Sequence, residues 1–311
     1  MLNEPIDVLK RYPIRKKKAQ KEAFRTDVLN YVKELGYDCC LEKGSMGAQN
    51  IVIGDPNNAK YLVTAHYDTP ASIGLPNFLT PCNLAVYLLW QILIVAFFFA
   101  VAIGSGVAIG LLLQAPEIGG LSAYIVYWIL LLLVMVGPAN KNNANDNTSG
   151  VVSVLEIARS MPKEYRDKVC FVLFDLEEAG LIGSSSYRKA HKQASDHQII
   201  LNLDCVGDGD HIIFFPTRKA KKNEEVIPLI QGLTGQYGNK FISLKKDGFY
   251  TYPSDQRHFP IGFGIAAFHK KKGLGYYVAK IHTKKDTVLE QANVYLLRDS
   301  LITLICGEAV N

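Results

Sequence analysis

Two histidines and several carboxylates stand where short apolar runs end. The run 61–65 (YLVTA) delivers His66 and, two positions on, Asp68. The run 169–174 (VCFVLF) delivers Asp175, Glu177 and Glu178, and the run 199–203 (IILNL) delivers Asp204. Asp146 sits in Asn145-Asp146-Asn147, just before a helical stretch, and His282 precedes the last helical stretch. Imidazole and carboxylate together suit zinc and its neighbours. A carboxylate such as Asp146 can bridge two ions, and one ion would not need so many acids. Two metals about 3.5–4 Å apart can activate a shared water and stabilise the oxyanion that it generates. The adjacent Glu177 and Glu178 allow one to bind metal while the other stays free as a general base. Asp68 is placed to orient the His66 ring from behind. His191, His197, His211, His258 and His269 lack such partners and are read as ordinary residues.

Taken singly, each piece has a plainer explanation: a loop pair, a solvated face or a helix cap. Asp204 is harder to dismiss, because an unpaired charge ending an apolar strand is costly to bury. What joins the pieces is the scaffold that their order requires. Runs 50–53, 61–65, 169–174, 199–203, 211–215 and 264–268 read as strands. Stretches 22–35, 151–160, 181–190, 224–236 and 287–306 read as helices. In the first of these, Phe24, Val28, Tyr31, Val32 and Leu35 fall on one face, and Gly36 is a plausible stop. The runs at 169, 199 and 264 are continuously apolar, as expected of strands covered on both faces. Such strands alternating with helices predict an α/β three-layer sandwich with a mixed, largely parallel central sheet. Functional groups in such sheets lie past the carboxyl ends of the strands, which would bring this set to one edge.

The composition excludes several classes. Nearly half of the 311 residues are apolar, which rules out a disordered chain. Six cysteines without a CxxC pair rule out a small disulfide scaffold. Cys170 and Cys205 fall in strand-like runs as expected core thiols, and cysteine usage points to a reducing compartment. Residues 1–22 are basic and hold no apolar stretch of the signal-peptide kind. The net charge of +5 comes without a nucleic-acid module, so no nucleic-acid partner is expected. Basic runs at 218–222, 245–246 and 270–272 are solvated faces or contacts for anionic lipid or acidic substrates.

As a set, six stretches resemble the M28 family of zinc aminopeptidases. They are Thr64-Ala-His-Tyr-Asp-Thr69, Asn145-Asp-Asn-Thr-Ser-Gly150, Phe174 to Ser184, Leu201 to Gly207, Ser254-Asp255 and His282-Thr-Lys-Lys-Asp-Thr287. The resemblance implies a phosphorylase/hydrolase-like fold and two Zn²⁺ ions, with other divalent transition metals possible. It assigns His66, Asp146 and Asp204 to one ion and Asp146, Glu178 and His282 to the other. Glu177 would be the general base, and peptides with a free N-terminus the substrates. A glutaminyl-cyclase-like acyltransferase with one zinc, or a catalytically silent membrane scaffold, are the alternatives on the same fold. Two departures from the family pattern stand out. Ile281 replaces the tyrosine that many members carry before the last histidine, where a hydroxyl can stabilise the oxyanion; Tyr276 and Tyr277 are the nearby candidates to replace it. Asp68 and Asp146 are 78 positions apart, where the family typically has about a dozen.

The excess spacing is filled by a block without parallel in the rest of the chain. From Thr69 to Asn140 the 72 residues carry one charged side chain, Glu117. Residues 84–113 and 121–137 are each long enough to cross a bilayer. The domains expected are therefore a catalytic body from 1–80 and 138–311 and an inserted hydrophobic hairpin over 81–137, meeting the lipid bilayer through 84–137. The short connection lacks Lys and Arg, whereas the basic N-terminus and Lys141 lie on the body side. By the positive-inside rule the catalytic domain is then cytoplasmic and the protein a two-helix membrane protein. The competing expectation is an apolar lid, a buried hairpin or a dimer interface. A lid of this length on a soluble monomer would expose an implausibly large apolar patch.

Overall fold

The computed structural model describes residues 2–72, 74, 75 and 77–307. After a short helix α1 (Asp7–Arg11), α2 (Lys18–Glu34) leads to β1 (Cys39–Lys43), β2 (Gln49–Ile53) and β3 (Tyr61–His66). The apolar helices α3 (Leu84–Leu113) and α4 (Pro116–Val136) follow. The chain continues through α5 (Gly150–Ser160), β4 (Val169–Phe174), α6 (Ile182–Ala190), α7 (Lys192–Ser195), β5 (Ile199–Leu203) and β6 (His211–Pro216). It ends with α8 (Val226–Gly232), β7 (Gly235–Tyr237), β8 (Lys240–Leu244), β9 (Ile261–Lys271), β10 (Gly275–Tyr277) and α9 (Gln291–Cys306).

The continuous apolar runs have the cause expected of them. In β3, β4 and β5, alternate residues point to opposite faces. Val63, Phe171, Leu173 and Leu201 join a core with Phe24 and Val28 of α2, Leu155 of α5 and Leu297 of α9. Leu62, Cys170, Val172 and Ile200 join a second core with Tyr187 of α6. Both faces are dry, so both registers must be apolar. The sheet runs β1-β2-β4-β3-β5-β9-β6-β8-β7, with β10 added beside β9. Its centre, β4-β3-β5-β9, is parallel, and both flanks turn antiparallel. This is the mixed α/β sandwich, with an inserted pair of apolar helices.

The structure adds four short strands not evident in the sequence: β1 and β7 end the sheet, β8 joins β7 to β6, and β10 pairs on β9, so pairing rather than burial makes the strand. The helix expected over 224–236 stops at Gly232, and 235–237 becomes β7 instead. Glycine in a helix interior carries an entropic penalty, which sets the limit here. The second apolar helix begins earlier than residue 121: Pro116 takes its first position, with Glu117 in the first turn.

The two apolar helices differ from everything around them. Among their described residues only Phe98, Ala102, Gly106 and Gly119 are buried. They pack chiefly on each other. Gly106 and Gly119 touch backbone to backbone: a Cβ on Gly106 would stand 2.5 Å from the Gly119 carbonyl oxygen and 2.7 Å from Ala123 Cβ. Higher up, Phe99 stacks on Tyr127 at 4.5 Å.

Candidate metal centre

Strand ends aim the site residues. His66 is the last residue of β3, Asp204 follows β5, and Glu177 and Glu178 follow β4. At three of these turns a residue other than glycine takes a left-handed backbone: Leu176 (φ 55°) before Glu177, Cys205 (φ 58°) after Asp204, and His282 itself (φ 58°). Such conformations cost free energy and persist where the surroundings over-determine them. Here they turn the side chains back over the sheet edge. Asp146 sits in the irregular turn that opens α5 and is followed by a cis peptide bond.

His66 Nε2 lies 3.3 Å from Asp146 Oδ1 and 3.8 Å from Asp204 Oδ1. On the other side of Asp146, His282 Nε2 lies 2.9 Å from Oδ2 and 3.7 Å from Glu178 Oε1. Two triads, His66–Asp146–Asp204 and Asp146–Glu178–His282, therefore share one carboxylate, and in each the ligand-type atoms lie within 4.8 Å of one another. Glu177 joins His66 and Glu178 in a third group of the same span. Asp68 is buried; its Oδ1 is 3.5 Å from His66 Nδ1. Its carboxylate also accepts the backbone N–H of Glu177 at 3.0 Å and of Glu178 at 3.2 Å. It thus holds the histidine from behind and fixes the backbone of both glutamates.

The electrostatics are those of an acid cluster crowded together. Burial, then the neighbouring acids Glu178, Asp255 and Asp204, push Glu177 well above the ordinary carboxylate range against the pull of His66. Burial drives Glu178 to about 8. Burial alone would lower His282, but Glu178 and Asp146 outweigh it and raise the ring to about 9. His66 is likewise lifted well above its usual value, with Glu177 and Asp146 overcoming burial. Asp146 is held low, because contacts with His282 and His66 overcome burial. Crowded acids with raised proton affinity around two imidazoles are what a divalent cation would relieve. The donor set of nitrogen and oxygen, arranged as two triads around a common carboxylate, fits zinc in kind and number.

Support comes from Asp286, which lies in the motif that carries His282, and from residues outside the motifs. Asp286 accepts the backbone N–H of Asn145 at 2.8 Å and of Asp146 at 3.0 Å, fixing the carboxylate shared by the two triads from the loop that carries His282. Arg15 is fully buried beneath the site. It donates to the Tyr67 carbonyl and, at 3.1 Å, to Thr148 Oγ1, clamping the strands behind His66 and Asp146. Tyr252 lines the cleft and donates to the Asp204 carbonyl at 2.9 Å. A buried arginine in a basic leader gives no sequence signal, since neighbouring lysines mask it. Asp175, at the same strand end as Glu177, turns away to Lys21 and Arg25 of α2 and takes no part. Tyr276 and Tyr277 do not line the cleft; the tyrosines that do are Tyr87 and Tyr252.

Residues 133–296 match the profile of Peptidase family M28. The chain belongs to that family. Aminopeptidase YwaD of Bacillus subtilis (strain 168) is 42% identical over 67 residues, which are 21% of this chain and 15% of that relative's length. Two solved structures share the fold at 16% identity. A Zn-dependent exopeptidase from Parabacteroides distasonis ATCC 8503 superposes with a TM-score of 0.58, over 96% of this chain and 93% of its own. The glutaminyl cyclase of Porphyromonas gingivalis superposes with a TM-score of 0.59, over 98% of each chain. Family and fold thus agree on an M28 zinc-peptidase scaffold, with the two apolar helices inserted ahead of the matched segment's main body.

Proposed function

We propose that this protein is a two-zinc aminopeptidase, and that its inserted hairpin holds it in a membrane with the catalytic body in the cytoplasm. The observation that carries the activity is the pair of triads sharing Asp146, with Glu177 beside them and bound to neither histidine. His66, Asp146 and Asp204 would hold one ion and Asp146, Glu178 and His282 the other. Zinc bound there supplies Lewis-acid polarisation of the scissile carbonyl and lowers the pKa of water. Glu177 takes the proton of the attacking water and returns it to the leaving amine. Asp68 keeps the His66 ring and the Glu177–Glu178 backbone in register. The acidic rim receives the free α-amine of the peptide.

Hydrolysis of aminoacyl substrates by detergent-solubilised protein, with bound zinc counted, tests this. Metal-replete protein that is inactive on a broad peptide panel, and unaffected by Glu177→Gln, ends the peptidase reading. A one-zinc cyclase on the same fold would need only one triad; release of ammonia from Gln-first peptides, with the cyclised residue kept on the peptide and one zinc per chain, would favour it. For the hairpin, the supporting facts are two helices of 30 and 21 residues with mean hydropathies of 2.7 and 2.2 and little burial. Recovery of the protein in the supernatant after alkaline extraction of membranes would remove the bilayer from this proposal.

A further inference from the structure

The cleft over the metal centre has two chemically different sides. One is the acidic floor just described. The other is built by the segment that interrupts the body. Tyr87 and Gln91 stand one turn apart near the start of α3 and so share a face. Met135 stands in the last turn of α4, beside the place where the chain returns. All three line the same cavity as His66, Glu177 and His282. The cavity holds about 370 Å³, near the lower end for small-ligand sites, which suits one side chain and its peptide bond.

Gln91 is the one side-chain amide in α3. Its amide has no hydrogen-bond partner among the described residues. A polar side chain in an apolar membrane helix faces protein or a wet cavity rather than lipid; here it faces the cleft. Phe78 packs on Trp90 of α3 at 5.6 Å and on Tyr277 at 6.0 Å, tying the helix to the body beside the cavity.

The placement of these helix feet is built in on both sides. Leu79 exchanges backbone hydrogen bonds of 2.9 and 3.0 Å with Val278, four residues before His282. After α4, Asn140 Nδ2 donates to the Thr283 carbonyl at 2.9 Å, immediately after His282. Both roots of the hairpin therefore grip the loop that carries a metal-ligand candidate, so its feet are held in register with the floor.

We infer that Tyr87, Gln91 and Met135 receive the first side chain of the substrate, and that they select a large apolar residue there. This rests on the aminopeptidase reading of the site. A charged first side chain would lose water against Phe78, Met135 and Ile281 with one amide to replace it, which is costly. A glycine would leave the cavity unfilled. Leu, Met and Phe fill it with apolar contacts, and methionine in the lining adapts its shape to each.

The test uses the full chain in lipid nanodiscs loaded with zinc. Wild type is expected to show kcat/KM at least ten-fold higher for Leu-first than for Gly- or Lys-first peptides. Tyr87→Ala and Met135→Ala should raise KM for the Leu-first peptide about ten-fold with kcat within two-fold, and Met135→Trp should exclude Phe-first peptides. Leu132→Ala, on the outer face of α4, should leave the profile as it is. In parallel, a peptide whose first residue is photoactivatable leucine should label α3 and α4 at their feet. Hydrolysis with a residue preference unmoved by the three variants overturns the inference and leaves the peptidase reading standing. Labelling at the feet without any hydrolysis does the reverse. Labelling confined to other segments overturns the inference by itself.

Discussion

The catalytic body and the inserted hairpin solve the same problem in opposite ways. In the body, apolar side chains point inward: β3, β4 and β5 are buried at every residue, on both faces. In the hairpin they point outward. Of the 27 large apolar side chains exposed among the described residues, 22 lie in α3 and α4. The body buries its apolar surface within itself; the hairpin leaves most of its own exposed. Its helices meet at the close backbone approach of Gly106 and Gly119 and at the stacked rings of Phe99 and Tyr127.

That comparison can be broken at its strongest point first. If Glu177 is the proposed general base, Glu177→Gln should lower kcat by roughly 10²–10⁴, the usual contribution of such a base, while zinc content stays at the wild-type value; activity assays and metal analysis read both. Next, Phe171→Ala in the body should destabilise it by about 3–5 kcal/mol through the cavity it leaves, seen as a shifted denaturation midpoint. The matching truncation in the hairpin, Leu112→Ala at 81% exposure, should stay within about 0.5 kcal/mol in detergent. A loss as large as that at Phe171 would mean that the hairpin is packed against something and is not lipid-facing.

Metal withdrawal gives an intermediate effect with a definite sign. Glu178 is raised from 4.5 to about 8 and His282 from 6.5 to about 9. Both raised values mean that the folded, metal-free protein binds more protons than the unfolded chain between those limits. Its stability is then highest below pH 4.5 for the glutamate and 6.5 for the histidine, and declines as pH rises through about 8 and 9. The melting temperature of chelated protein should therefore fall from pH 6 to pH 9. Zinc should cancel the slope, with proton release on binding measurable by calorimetry in two buffers. A flat profile without metal would contradict the crowding of acids at the site.

The smallest and sharpest effect concerns the contact between the helices. Gly106→Leu would place a side chain into the Gly119 carbonyl and Ala123. It should splay α3 from α4, detected as loss of a crosslink between cysteines placed on the two helices, with bulk stability of the body unchanged. Excising residues 80–140 for a short loop asks the same of function. A soluble product with wild-type residue preference would make the hairpin an anchor alone, whereas a folded product that has lost that preference fits feet that line the cleft.

The recognisable part of this protein was the part governed by local order. Apolar runs ending in His66, Glu177-Glu178 and Asp204 are strand ends, and strand ends of a parallel sheet share an edge, so their convergence follows from period and direction alone. The length and lack of charge of α3 likewise need no tertiary context. The outlying strands β7, β8 and β10 were illegible because pairing between segments, not a periodic apolar pattern, makes them strands. Arg15 and Tyr252 were illegible for a related reason: each supports the site through a hydrogen bond to a backbone carbonyl far away in sequence, and a backbone acceptor carries no residue-type signal. Asp175 shows the converse, since its position predicted the edge, yet a lysine and an arginine on α2 draw it away from the cleft.

By itself, then, the sequence determined the sandwich, the identity of the ligand-type residues and the presence of an apolar insertion, because periodicity, charge and spacing are properties of short segments. Only the tertiary structure decided that Asp68 braces both glutamates, that Asp286 holds the backbone of Asp146, and that the feet of the insertion face the cleft. Those depend on contacts between segments as far apart in sequence as Leu79 and Val278, which the packing of both sheet faces and the hydrogen bonds around the His282 loop settle together.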